Sequence, residues 1–169
     1  MRKSLFSTFL LVMLLCACNP NNVQKSKERQ EILSWAKVIA EIELDYLEIT
    51  EDFYILQRKL GSSLPTYNDL TSLQVMYETI SGFYTKTNKM NPPTAASLVH
   101  AKFSEKYALA SDAILQYYIS ASQNDILYFE KSVTNSKGAN KLNDEAYQGF
   151  IEILNKYSIT CDEIEFCEE

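Results

Sequence analysis

From Ile32 onward the apolar residues recur as Ile32, Trp35, Ile39, Ile42, Tyr46, Ile49, Phe53, Leu56 and Leu60. The steps alternate three and four residues through four heptads. That spacing holds one stripe on one face of an α-helix; a strand would need period two. A helix this long with a single apolar stripe must bury it along its whole length, which calls for other helices. Glu31, Lys37, Glu41, Asp45, Glu48, Asp52 and Lys59 fall between the stripe positions and are expected to face water. Gly61-Ser62-Ser63-Leu64-Pro65 ends the helix, with Gly61 placed for a left-handed C′ conformation.

The same steps continue downstream. Leu70, Leu73, Tyr77, Ile80 and Tyr84 form a second stripe, widened by Met76 and Phe83, and Asn91-Pro92-Pro93 breaks it. A third helix is expected from near Pro93, burying Ala96, Val99, Phe103, Tyr107, Ala110, Ile114, Tyr117 and Ala121. After Ser122-Gln123-Asn124-Asp125, with Asn124 as N-cap, a fourth helix carries Ile126, Phe129 and Val133 at one end and Tyr147, Phe150, Leu154 and Tyr157 at the other. Between them Thr134 to Asn140 is polar and holds Gly138, so a kink or a split into two helices is open. No stretch alternates with period two for long enough to read as a strand. Four Gly and four Pro in 169 residues also disfavour turn-rich sandwiches and barrels. The fold expected is all-α, an antiparallel four-helix bundle, with residues 28–160 as the domain and 161–169 as a C-terminal tail.

The N-terminus carries an address. Arg2 and Lys3 precede an apolar run from Leu5 to Leu15, too short to span a bilayer and suited to a cleaved signal peptide. The run ends in Leu15-Cys16-Ala17-Cys18, which resembles the bacterial lipobox: Leu at −3, a small residue at −1, then the lipid-bearing cysteine. Cys16 stands at −2, where Ala or Ser is usual. The resemblance covers the leader alone. It implies that residues 1–17 are removed, that Cys18 is acylated, and that the domain sits outside the cytoplasm on the cell membrane or outer membrane of a bacterium. Residues 18–27 are polar and Pro-marked and read as a tether. Acyl chains contribute about 0.8 kcal/mol per buried CH₂, so anchoring needs no basic patch.

Loss of Arg2 and Lys3 leaves 14 basic residues against 22 acidic, a charge near −8. Nucleic acid is therefore not an expected partner, because phosphate binding needs a cationic face. Cys161 and Cys167 remain as an even pair, and export favours a disulfide between them. Bridged Cα atoms lie within about 7 Å, so such a bond requires the chain from Asp162 to Phe166 to leave the helix and turn back, with Ile164 or Phe166 capping the core.

Reaction chemistry is sparse. His100 is the single histidine and stands beside stripe residue Val99; it reads as a packed or boundary residue. No Glu-x-x-His pair, zinc-spaced Cys/His set, Gly-x-Ser-x-Gly or Gly-rich phosphate loop accompanies it, so no cofactor, metal or catalytic residue is expected. The acidic run Glu41, Glu43, Asp45, Glu48, Glu51 and Asp52 scatters around the first helix and reads as a solvated face. Most of the 11 Tyr sit on or beside stripes, which reads as core packing. The alternative is an aromatic ligand groove from Tyr117, Tyr118, Tyr128 and Phe129. The leading functional expectation is a membrane-anchored binding or scaffold domain for a protein or envelope component. An immunity, inhibitor or superinfection-exclusion lipoprotein is the alternative, its acidic surface suiting a basic partner. A carboxylate-based enzyme is the second alternative and would need two acids facing one cleft.

Overall fold

The heptad stripe becomes a single 41-residue helix. The computed structural model describes residues 20–165, and their side chains from Lys25 onward. Helix α1 spans Pro20–Leu60, α2 Tyr67–Lys89, α3 Ser97–Gln123, α4 Ile126–Lys156 and α5 Cys161–Ile164, with a 3₁₀ turn at Thr94–Ala96 before α3. The described residues hold no strand, and the helices pack on one another around one core. The fold is all-α.

On α1, Ile32, Trp35, Ile39, Ile42, Tyr46, Phe53 and Leu56 are buried, while Ile49 and Leu60 are half-buried. The seven charged residues between stripe positions are all exposed. Leu73 and Ile80 from α2 and the α3 stripe from Val99 to Tyr117 complete the core, although Tyr84, expected on the α2 stripe, is exposed. Side chains set the helix ends. At α2, Thr66 caps through Asp69: the Asp69 amide donates to Thr66 Oγ1 (3.3 Å), and the Thr66 amide donates back to Asp69 Oδ2 (2.9 Å).

Several boundaries differ from the sequence reading. Helix α1 begins at Pro20, so most of the 18–27 segment read as a tether is helical; polar composition does not forbid a helix continuous with a packed one. Gly61 keeps a negative φ. The α1 end is closed instead by Ser62 and Ser63, whose hydroxyls each donate to the Lys59 carbonyl at 3.0 Å. Asp125, not Asn124, is the N-cap of α4, its carboxylate accepting from the Leu127 amide, while Asn124 takes the left-handed conformation ending α3. Helix α4 runs unbroken through Gly138.

The buried face of α4 follows its large apolar residues only at the C-terminal end. Phe150 and Leu154 are buried as expected, whereas Ile126, Phe129 and Tyr147 are exposed, and the rest of the buried line is Ser132, Ala139, Ala146 and Ile153, one residue per heptad. Small residues there let α3 and α4 approach closely. Ser132 Oγ donates to the Ala113 carbonyl at 2.7 Å. A Cβ on Gly149 would stand 2.6 Å from Val99 Cγ2, and one on Gly138 would stand 3.0 Å from Leu109 Cδ1.

The 161–169 segment, expected as a tail, contributes the turn α5, with Ile164 buried as a core cap. A second capping box, Thr160 with Glu163, starts it, and left-handed Glu165 (φ 57°) ends it. Arg29 fastens this end to the start of α1. Its Nε donates to the Tyr157 carbonyl (3.1 Å), and a terminal nitrogen donates to the Ser158 carbonyl and to both Glu163 carboxylate oxygens at 2.8–3.0 Å. Tyr157 also donates its hydroxyl to Glu28 at 2.5 Å, and that bond to a carboxylate raises the phenol to about 12.

Candidate functional site

Core packing leaves a seam open between α1 and α4. Beside its buried stripe, α1 carries Leu44, Leu47, Glu51, Tyr54 and Arg58 at the same spacing, in steps of 3, 4, 3 and 4, three of them apolar and two charged, and Gly61 follows just past the helix end. Leu44, Leu47 and Tyr54 are exposed, as is their neighbour Ile55. Toward α4 this seam faces an open groove of ~1100 Å³, walled by Leu47, Glu48, Glu51, Tyr54 and Arg58 on α1 and by Phe129 and Val133 on α4, with Tyr117 of α3 at its base. Tyr117 packs edge-on against Phe53 (centroids 5.5 Å) and lies 6.1 Å from Phe129. Burial raises the Tyr117 phenol, and its hydroxyl points to the Gln57 carbonyl at 3.5 Å. Tyr54 accepts a hydrogen bond from Asn140 Nδ2 across the α1–α4 gap (3.3 Å).

Of the four aromatic residues singled out in sequence, Tyr117 and Phe129 meet in this groove. Tyr118 is half-buried against the core instead, and Tyr128 lies under the Lys131 ammonium, 4.9 Å from ring centroid to Nζ. Neither lines the groove. Leu47, Tyr54 and Val133 were not anticipated; the second 3-4 stripe on α1 was the available signal for Leu47 and Tyr54.

A polar cluster is sealed inside the bundle. Lys106 of α3 is wholly buried, and its ammonium donates to Glu43 Oε1 of α1 (2.5 Å) and to Asn143 Oδ1 of α4 (3.2 Å). The Tyr107 hydroxyl donates to the same Glu43 oxygen. The ammonium also sits over the rings of Tyr46, Tyr107 and Phe103, 4.1, 4.6 and 5.0 Å from their centroids. Burial pushes Lys106 down to about 8, with Glu43 opposing the shift, and pushes the Tyr107 and Tyr46 phenols far up. Glu43 was read with the solvated acidic run and is instead 5% exposed. Its run-mates Glu41, Asp45, Glu48, Glu51 and Asp52 are exposed as expected.

His100 is buried and committed. Trp35 Nε1–H donates to its Nδ1 (3.2 Å), so its Nε2–H donates to the Thr87 carbonyl (3.0 Å), the neutral tautomer that burial also favours by lowering its pKa. Both ring nitrogens hold α1, α2 and α3 together and neither is left for a substrate. Among the described residues no His, Cys, Asp and Glu group is arranged to hold a metal ion, and no helix is long and apolar enough to cross a membrane. Cys161, at the first position of α5, is exposed and no disulfide is found among the described residues; Cys18 and Cys167 lie outside them, and with Cys167 the expected Cys161–Cys167 bond. Comparison with family models, curated proteins and solved structures finds no match for this chain.

Proposed function

We propose that this is a lipid-anchored binding protein of the bacterial envelope, an antiparallel four-helix bundle held through Cys18 and engaging a protein partner in the α1–α4 groove. The observation that carries the reading is the groove itself, open to solvent, with exposed Leu47 and Tyr54 set among charged residues on its α1 wall, Phe129 and Val133 opposite, and an aromatic base. The leader and its resemblance to a lipobox support the anchor. The bundle direction is supported by the Arg29 and Tyr157 contacts, which bring the end of α4 to the start of α1, and by the Phe129–Tyr117–Gln57 contacts at the opposite end.

Binding is favoured over carboxylate catalysis because Glu43, the buried glutamate, is committed to Lys106 and Tyr107. An inhibitor or immunity role is the form of this reading in which the bound partner is a toxin or lytic enzyme, and the exposed acids Asp45, Glu48, Glu51 and Asp52 favour it for a basic partner. Two experiments test the proposal. Cys18→Ala should move the protein out of the membrane fraction or leave an unprocessed precursor; unchanged mass and retention would remove the anchor. A photo-crosslinking residue at Tyr54 should give a discrete adduct in native membranes that the same residue at Lys37 does not, and equal labelling at both would remove the groove.

A further inference from the structure

We infer that the groove receives a single amphipathic helix of a protein partner, apolar along the face it buries and bearing Lys or Arg beside that face. The inference rests on the binding reading above and names the partner's chemistry. Three observations carry it.

The first is spacing. Leu47, Glu51, Tyr54 and Arg58 repeat at four and three residues, a spacing that matches a helix packed nearly parallel, with Leu47 and Tyr54 as apolar contacts and Glu51 and Arg58 as charged ones, and Gly61 closing the end. From Leu47 to Gly61 the wall is about 21 Å long at 1.5 Å per residue, the length of a four-turn helix.

The second is charge. Glu48 and Glu51 line the groove, Asp45 and Asp52 flank it, and among the described residues none of the four is in a salt bridge. Arg58 is the lone cation in the lining. A second copy of this chain is the poorer occupant, because a two-fold contact on this seam would bring together eight carboxylates with only two arginines.

The third is position. Helix α1 is described from Pro20, two residues after Cys18, which the proposed reading lipidates, so the groove begins about 40 Å and ends about 60 Å along the helix from Pro20. That places the groove at the end away from the anchor, facing soluble or partner-borne segments rather than the acyl chains of its own bilayer.

The test uses the lipidated full-length protein in nanodiscs and fluorescence anisotropy with three synthetic 18-residue helices. One has Leu at heptad spacing flanked by Lys, one has the same Leu flanked by Glu, and one has the Lys composition with its Leu positions scrambled. The Lys-flanked helix is expected to bind saturably and at least tenfold more tightly than either of the others. Leu47→Glu should weaken it at least tenfold, while Lys37→Gln, an equal change of charge on the same helix, should leave it unchanged. Glu48→Lys with Glu51→Lys should reverse the preference toward the Glu-flanked helix. Leu47 is 44% exposed, so its replacement leaves the core intact, and an unchanged far-UV spectrum checks this. Equal binding of all three helices, indifference to Leu47→Glu, or a stable dimer covering the seam would overturn the inference. If the Tyr54 crosslink still gives a specific adduct in that case, the binding reading survives; if it gives none, both fall.

Discussion

Replacing Glu43 by Gln removes the countercharge from a wholly buried lysine while keeping an oxygen that accepts from Lys106 and Tyr107. In the intact protein burial holds the Lys106 ammonium at about 8, against an ordinary 10.5, with Glu43 opposing the fall. Below pH 8 the lysine is therefore charged both folded and unfolded. Between pH 8 and 10.5 the unfolded chain binds the extra proton, so the contribution of this group to stability rises with pH across that window. Without Glu43 the folded pKa drops further, toward the values of 5 to 6 that buried lysines reach. The variant must then shed its proton on folding at pH values where the parent keeps it. Each unit of pH below 8 costs the variant about 1.4 kcal/mol relative to the parent. The deficit is thus about 1 kcal/mol at pH 7 and about 3 kcal/mol at pH 6, and this part of it vanishes near pH 9. At about 2–4 °C per kcal/mol for a domain of this size, the melting point at pH 6 should fall by roughly 6–12 °C. Urea unfolding followed by circular dichroism at pH 6, 7 and 9 measures it. A deficit that is constant across that range, or one that grows with pH, would refute the reasoning. Adding Lys106→Met should abolish the pH dependence.

Ile42 is 1% exposed on the α1 stripe, and Ile42→Asp should cost several kcal/mol by burying an unpaired charge, read as loss of the cooperative thermal transition. Gly149→Ala should destabilise by about 1–3 kcal/mol in denaturant titrations, because the new Cβ meets Val99 Cγ2 at 2.6 Å. Gly82→Ala, on an open helix face with nothing within 4 Å, should instead stabilise by up to about 1 kcal/mol. The Lys59 ammonium and Thr66 hold the Asp69 carboxyl at about 2, below its ordinary 3.8. Its contribution is therefore complete above pH 4 and lost as pH falls through 2, so Asp69→Asn should flatten the acid limb of the stability curve between pH 4 and 2.

The sequence alone determined the helical class, the stripes of α1 to α3 and the breaks between them, because large aliphatic and aromatic side chains at steps of three and four are buried in almost any packing that hides them. Helix α4 was legible as a helix, but its face only at Phe150 and Leu154. Ser132, Ala139, Ala146 and Gly149 carry too little apolar surface to mark a stripe, and whether a small residue is buried depends on how closely the neighbouring helix comes. The same dependence hid Glu43. Next to Ile42 and three residues before Tyr46 it looks like its exposed run-mates, and only Lys106 and Tyr107, more than 60 residues away in sequence, make its burial tolerable. The groove needed both halves of this division. Its 3-4 spacing stands in the α1 sequence, but an apolar seam becomes core or cleft according to the distance of the next helix. Here α4 sits close to α3 at Val99 and Ala113, while Leu47 and Tyr54 of α1 stay uncovered beside it.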